Sequence, residues 1–381
     1  MKSVAITIAA ALGLLFIASP VSAEEESWVD RIKFKGDVRI RHERIDEDGE
    51  EDRARMRFRT RFGLSAKVND DVKVVFQMAT GGNNPVSTNQ TFDDGFSTKD
   101  IGVDLAYVDW KIDDSLNFYG GKMKNPLYKA GGVPLIWDGD LNPEGFALKY
   151  TSGNFFGTVG GFSAEERSST DDSLLYVVQA GMKFPVGDAA TLIAGIGYFS
   201  YTDTVGNSPF YNGSSKGNTV DLNGDYVYDY KNTEVFAELS TKVGDWPLKV
   251  YAHATQNSDA PTEDTGFAVG AKLGSAKQDG DMEFSWTYQD IEADAVIGTF
   301  NDSDLYDEKG DYKEQARRLE NDRQDALAVI LETGGIQAAL GFNRTVSNPY
   351  RLGLALGHIT DDTQENELLP ASLDREDTAL W

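Results

Sequence analysis

The sequence predicts an all-β chain, a transmembrane antiparallel β-barrel of sixteen strands. Three observations predict it. Apolar and polar residues alternate with period two in stretches of about ten residues, the connections between them alternate short and long, and the N-terminus has the makeup of a secretory signal. Composition alone does not separate this reading from a soluble one. Hydrophobic residues are 40% of the chain and the mean hydropathy is −0.40. A barrel strand spends only alternate residues on lipid, so it never builds the run of about 20 apolar residues that a membrane helix needs.

Residues 1–23 read as the signal: Lys2 is the positive start, Val4 to Ile17 the apolar stretch, and Val21-Ser22-Ala23 the cleavage site. Cleavage there starts the mature chain at Glu24, and losing Lys2 takes the formal charge from −26 to −27. Such acidity excludes nucleic-acid binding, which needs basic surface. The chain has no cysteine, which excludes disulfides, thiol catalysis and thiolate metal sites.

The first strand, Ile32 to Glu43, sets Ile32, Phe34, Val38 and Ile40 on one face and Asp37, Arg39 and Arg41 on the other. In the second, Met56, Phe58, Phe62 and Leu64 alternate with Arg55, Arg57, Arg59 and Arg61. Strands follow over Val72–Ala79, Leu105–Ile112, Leu116–Met123, Gly145–Tyr150, Phe155–Phe162, Leu174–Phe184 and Ala189–Tyr201. Asn232–Val243, Leu248–Thr255, Phe267–Leu273 and Met282–Gln289 bring the count to thirteen. Ala326–Leu331, Gly335–Phe342 and Tyr350–Ile359 would complete sixteen, an even number as bacterial barrels require. The barrel domain is thus 24–359, with 304–359 atypical because aromatics thin out and Gln315–Gln324 is a charged run; 360–381 is a polar C-terminal tail.

Turns such as Asn69-Asp70-Asp71, Asp113-Asp114 and Pro185–Asp188 are tight and rich in turn residues. Between them lie longer polar segments, among them Gly81–Gly102, Lys124–Glu144 and Thr202–Lys231. Sorting connections by parity puts turns on one rim and loops on the other. Tyr107, Trp110, Phe118, Tyr119, Tyr150, Phe155, Tyr198, Tyr201, Trp246, Trp286 and Tyr288 collect near strand ends, as girdles at two membrane interfaces would.

Arg55, Arg57, Arg59 and Arg61, with Arg39 and Arg41, form the strongest local feature. On the lipid side each would cost about 2–4 kcal/mol near the midplane, so they are expected to face the lumen. There they are either a solvated ladder or a positive pore wall that focuses anions. Asp221, Asn223, Asp225 and Asp229 match part of the ligand spacing of a calcium loop. Tyr226 and Asn232 stand where such a loop has Gly and Glu, and a plain acidic loop is the alternative; no other cofactor is expected. The histidines, His42, His253 and His358, have no metal-ligand spacing. No nucleophile elbow or phosphate-binding loop occurs, so the chain is not expected to be an enzyme.

The stretch Gly121-Lys122-Met123-Lys124-Asn125-Pro126-Leu127, continuing through Leu135-Ile136-Trp137-Asp138-Gly139-Asp140-Leu141-Asn142-Pro143-Glu144-Gly145, resembles the signature of the putative-porin family of Gram-negative outer membranes. The Arg-rich hairpin from Arg53 to Val68 resembles that family too. The resemblance implies a sixteen-stranded barrel that passes small hydrophilic solutes, with outer-membrane lipid around it. Homotrimeric assembly is expected of porins of this size. In general porins the third loop folds into the lumen. Here that loop is Lys124–Glu144, and Asp138, Asp140 and Glu144 are expected opposite the arginine ladder. An outer-membrane barrel enzyme and a secreted β-rich binding protein are the alternatives. Conductance separates a pore from the first, and detergent-dependent solubility separates a barrel from the second.

Overall fold

The computed structural model describes residues 28–45, 53–133, 135–211, 213–275, 282–301, 325–333, 336–344 and 351–357. The signal segment 1–23, the charged run 315–324 and the tail 360–381 lie outside them. The chain forms one antiparallel sheet. Its strands are β1 (Ile32–Ile45), β2 (Arg53–Lys67), β3 (Val72–Thr80), β4 (Gln90–Thr91), β5 (Ile101–Lys111), β6 (Leu116–Lys122), β7 (Glu144–Ser152), β8 (Phe155–Glu165) and β9 (Ser173–Val186). They continue as β10 (Ala190–Tyr201), β11 (Lys231–Val243), β12 (Trp246–Asn257), β13 (Thr265–Gly274), β14 (Met282–Ile291), β15 (Asp325–Thr333), β16 (Ile336–Arg344) and β17 (Arg351–Gly357).

Each strand pairs with the next in sequence, except around β4. There β3 pairs directly with β5, and the two-residue β4 turns back onto β2 at Arg57↔Thr91. The thirteen strands expected up to Gln289 are all present. β4 was not expected; it comes from the segment 81–100, read as a loop. At the far end, β17 pairs with β16 and meets β1 at His42↔Leu356.

Period two sorts the side chains to two faces. On β1, Phe34 is 62% and Val38 61% exposed, whereas Arg39 between strand neighbours of that kind is 8% exposed. The same parity exposes Phe146 and Leu148 on β7, Tyr176 and Val178 on β9, Ile196 and Tyr198 on β10 and Phe284 and Trp286 on β14. So much apolar area on an outside face is incompatible with water as the solvent. The other face is the buried one, and it carries both polar groups and aromatic rings. Glu234 and Glu238 (β11), His253 and Thr255 (β12) and Gln179 (β9) share it with Phe199, Phe236 and Tyr251.

Parity also corrects part of the girdle. Trp110, Tyr150, Phe155, Tyr198, Trp246 and Trp286 face outward, but Tyr201 is buried inside and Tyr107 and Tyr119 pack against the interior cluster. Tyr198 and Tyr201 are three residues apart on one strand, so they must point to opposite faces.

Candidate functional site

The β1–β2 register brings the predicted arginines together. Asp37 pairs with Arg61, Arg39 with Arg59, Arg41 with Arg57, and Glu43 with Arg55. A carboxylate therefore closes each end of the wall. Asp37 Oδ2 lies 3.1 Å from Arg59 Nη2 and its Oδ1 accepts from Arg61 Nε at 2.6 Å. Glu43 pairs with Arg41 and Arg55, and its Oε1 lies 3.6 Å from Arg57 Nη1. All six arginines are on the inner face, as alternation requires.

Segment 124–143 contacts the inner face of the sheet. Its backbone leaves β6 and returns at β7, yet its contacts lie on distant strands. Tyr128 N donates to Gln179 Oε1 of β9 at 2.7 Å, and Gln179 Nε2 donates back to Tyr128 O at 3.0 Å. The Tyr128 ring sits 5.3 Å from both Phe156 and Phe236. Gly131 N donates to Glu238 Oε2 of β11 at 2.8 Å. Gly131 has φ +64°, and a Cβ there would run into the Tyr251 ring of β12; glycine is the residue that meets both demands. Further on, Trp137 Nε1 donates to Tyr201 OH at 3.0 Å, and its ring stands edge-on to Phe162 and Phe199. Apolar packing thus holds the segment against the β8–β13 wall.

Its polar side turns to the arginines. Asp140 Oδ1 is 3.7 Å from Arg59 Nη1. Asp138 Oδ1 accepts from Asp140 N at 2.6 Å, and its backbone N donates to Phe300 O at 2.9 Å. Asp138 therefore shapes the turn that aims Asp140. Glu144 lies elsewhere. As the first residue of β7 it falls on the outward parity and pairs with Lys122 at 2.8 Å. Lys129 had no place in the sequence reading, yet its ammonium is buried and donates to the carbonyls of Trp137 and Asp138 at 3.0 Å each. Burial pushes it down to about 8, against the pull of Asp138, Asp140 and Glu234.

A second inward segment was also missed. Asn89 Oδ1 accepts from Arg39 Nη2 at 2.6 Å, and Arg57 Nη2 donates to Ser87 Oγ at 3.4 Å and to Asn89 O at 3.3 Å. The only sequence signal was the pair Val86 and Phe92 inside a polar stretch. Phe210, Tyr226 and Tyr230 pack with Val296, Ile297 and Phe300 in the same apolar cluster as Trp137.

The expected calcium ligands serve the chain itself. Asp221 Oδ1 accepts from the backbone N of Asn223 and Asp225 at 2.8 and 3.0 Å. Asp229 Oδ1 accepts from the Thr204 hydroxyl and from the backbone N of Thr204 and Val205. Among the described residues no group of three or more His, Asp or Glu is placed to hold a metal.

The sheet thus has an apolar outer face and an inner face that carries the charged residues. Residues 45–216 match the family model described as Putative porin. The fold is similar to OprB of Pseudomonas putida, with a TM-score of 0.50 at 12% identity over 87% of this chain and 93% of that one. Two further similar structures are a loop L8 deletion mutant of OmpT from Vibrio cholerae (TM-score 0.49, 14% identity, 86% and 98% of the chains) and Salmonella typhi OmpF with daunomycin (0.48, 10%, 86% and 97%). No curated protein matches the sequence.

Proposed function

We propose that the sheet closes into a sixteen-stranded barrel, counted without the short β4, and that it is a passive, water-filled pore narrowed by segment 124–143. The pairing of β17 with β1 supports closure. The exposed apolar face would meet lipid, and the inner face small hydrophilic solutes. The observation that carries the reading is Asp140 opposite Arg59. A carboxylate on one side of the passage and a guanidinium wall on the other set up a field across it, which orders water and sorts ions by charge.

The same reading makes the protein a conduit and not a catalyst. His253, the histidine best placed for a rim hydrolase, is buried on the inner face with Glu234 Oε2 3.4 Å from its Nε2. Assembly as a homotrimer stays part of the proposal, resting on chain length and the family resemblance; cross-linking of the unheated protein reports it. The test is the reversal potential of purified protein in planar bilayers under a salt gradient. Asp140→Asn should raise the preference for anions and Arg59→Gln lower it. Identical reversal potentials in all three proteins would remove the case for a field at this point.

A further inference from the structure

With the pore reading above as its basis, we propose that Asp104 and Asn142 form the bond that positions Asp140 in the passage. That makes this pair, which stands outside the arginine wall, a determinant of ion selectivity. Regular alternation would put Val103 and Leu105 on one face. Instead Val103 is 50% exposed on the outside and Leu105 is fully buried. The β3–β5 register shows why: Gln77 pairs with Leu105 and its neighbour Met78 with Val103, so Asp104 is an extra residue between the two pairs. Continued back from the outward-facing Ala106 and Val108, the ladder would set Asp104 on the apolar face. A bulge re-aims a side chain, and this one lets Asp104 share the inner face with Leu105, beside the buried Gln77.

Both carboxylate oxygens of Asp104 are taken there. Oδ2 accepts from Gln77 Nε2 and Oδ1 from Asn142 Nδ2, each at 2.6 Å. Bonds to an ionised acceptor are about twice as strong as neutral ones, and Gln77 fixes the carboxylate from the strand side. Asn142 lies two residues beyond Asp140, whose Oδ1 is 3.7 Å from Arg59 Nη1. Two residues of chain span at most about 7 Å, and Pro143 restricts the backbone of Asn142 to extended conformations. On the other side, Asp140 N donates to Asp138 Oδ1 at 2.6 Å. Asp140 is thus tied from both sides, and the tie at Asn142 refers its position to β3 and β5. Its Coulomb interaction with Arg59 falls with separation, so slack at Asn142 would weaken the field that Asp140 puts across the passage. Lys122 Nζ also donates to Asn142 O, at the longer distance of 3.3 Å. Losing the Asn142 amide therefore loosens this end of the segment without releasing it.

The test is the reversal potential of purified protein in planar bilayers under a salt gradient, read for a substitution that changes no charge. Asn142→Ala should shift it toward anion preference, in the direction of Asp140→Asn and by a smaller amount. Two backgrounds assign the shift. In Asp104→Ala, which has already lost the bond, Asn142→Ala should add nothing. In Asp140→Asn, which has no carboxylate left to place, it should also add nothing. Such non-additivity marks groups that act through one interaction. An unchanged potential in Asn142→Ala, or a full shift that survives in either background, would overturn the positioning role. The field across the passage would still stand if Asp140→Asn by itself shifts the potential. Wild-type protein that forms no channel would defeat the pore reading, and this proposal with it. Asn142→Leu, similar in shape to asparagine, removes the same amide should the alanine variant fail to assemble, and the same shift is expected of it.

Discussion

Tyr128 is where single residues decide whether segment 124–143 stays in place. Its backbone makes a two-way hydrogen bond with Gln179 and its ring lies between Phe156 and Phe236. Tyr128→Ala should weaken docking and packing by at most about 3–5 kcal/mol, the range for a fully buried ring, since Tyr128 is partly buried, and protease access to the segment should rise. Lys129 adds a pH dependence. Its docked ammonium is pushed down to about 8 from an ordinary 10.5, so between those values the docked segment binds fewer protons than an undocked one. Docking therefore strengthens as pH rises through that window and is weakest below about 8. Protease access measured across the window should fall with rising pH, and Lys129→Met should flatten the dependence.

Individual residues also show what a sequence conceals. The arginine ladder was legible because alternation fixes a side chain's face without any tertiary knowledge. Asp140 was legible as a carboxylate in a loop resembling a known signature. Glu144 was expected beside it, but it already belongs to β7, where strand parity overrides loop proximity and sends it to Lys122. Lys129 was invisible because burial of an ammonium depends on what folds over it.

Among elements, the strands with one apolar face were readable almost to the residue, since lipid on one side and water on the other impose a strict alternation. Segment 81–100 was not. Its pairing through β4 with β2 needs only two residues, too short for any period to register. The interior aromatic cluster was missed for a related reason: Phe210, Tyr226 and Phe300 lie in separate long segments without strand alternation and meet only in space. The outward face of β9 offers a direct check on orientation. Val178 is exposed there while Gln179, its neighbour, is buried inside. Val178→Lys should lose about 2–4 kcal/mol of stability in lipid if it lies near the midplane, measured by urea unfolding in liposomes.

The whole molecule is described by what crosses its interior. One wall, β1–β2, is positive. The opposite wall, β8–β13, binds the loop through aromatic rings and two buried carboxyl-bearing residues, Glu234 and Glu238. The loop takes its place between them, held to one wall by packing and turned to the other by Asp140. In the proposed barrel, the depth of this loop, rather than the number of strands, should set the passage. The most direct measurement is single-channel conductance in planar bilayers of the wild type and of a variant in which residues 127–141 are replaced by a short Gly-Ser link. The account predicts stable steps from the wild type and larger steps from the variant. Wild-type protein that conducts nothing, or a variant whose steps are no larger, would contradict it.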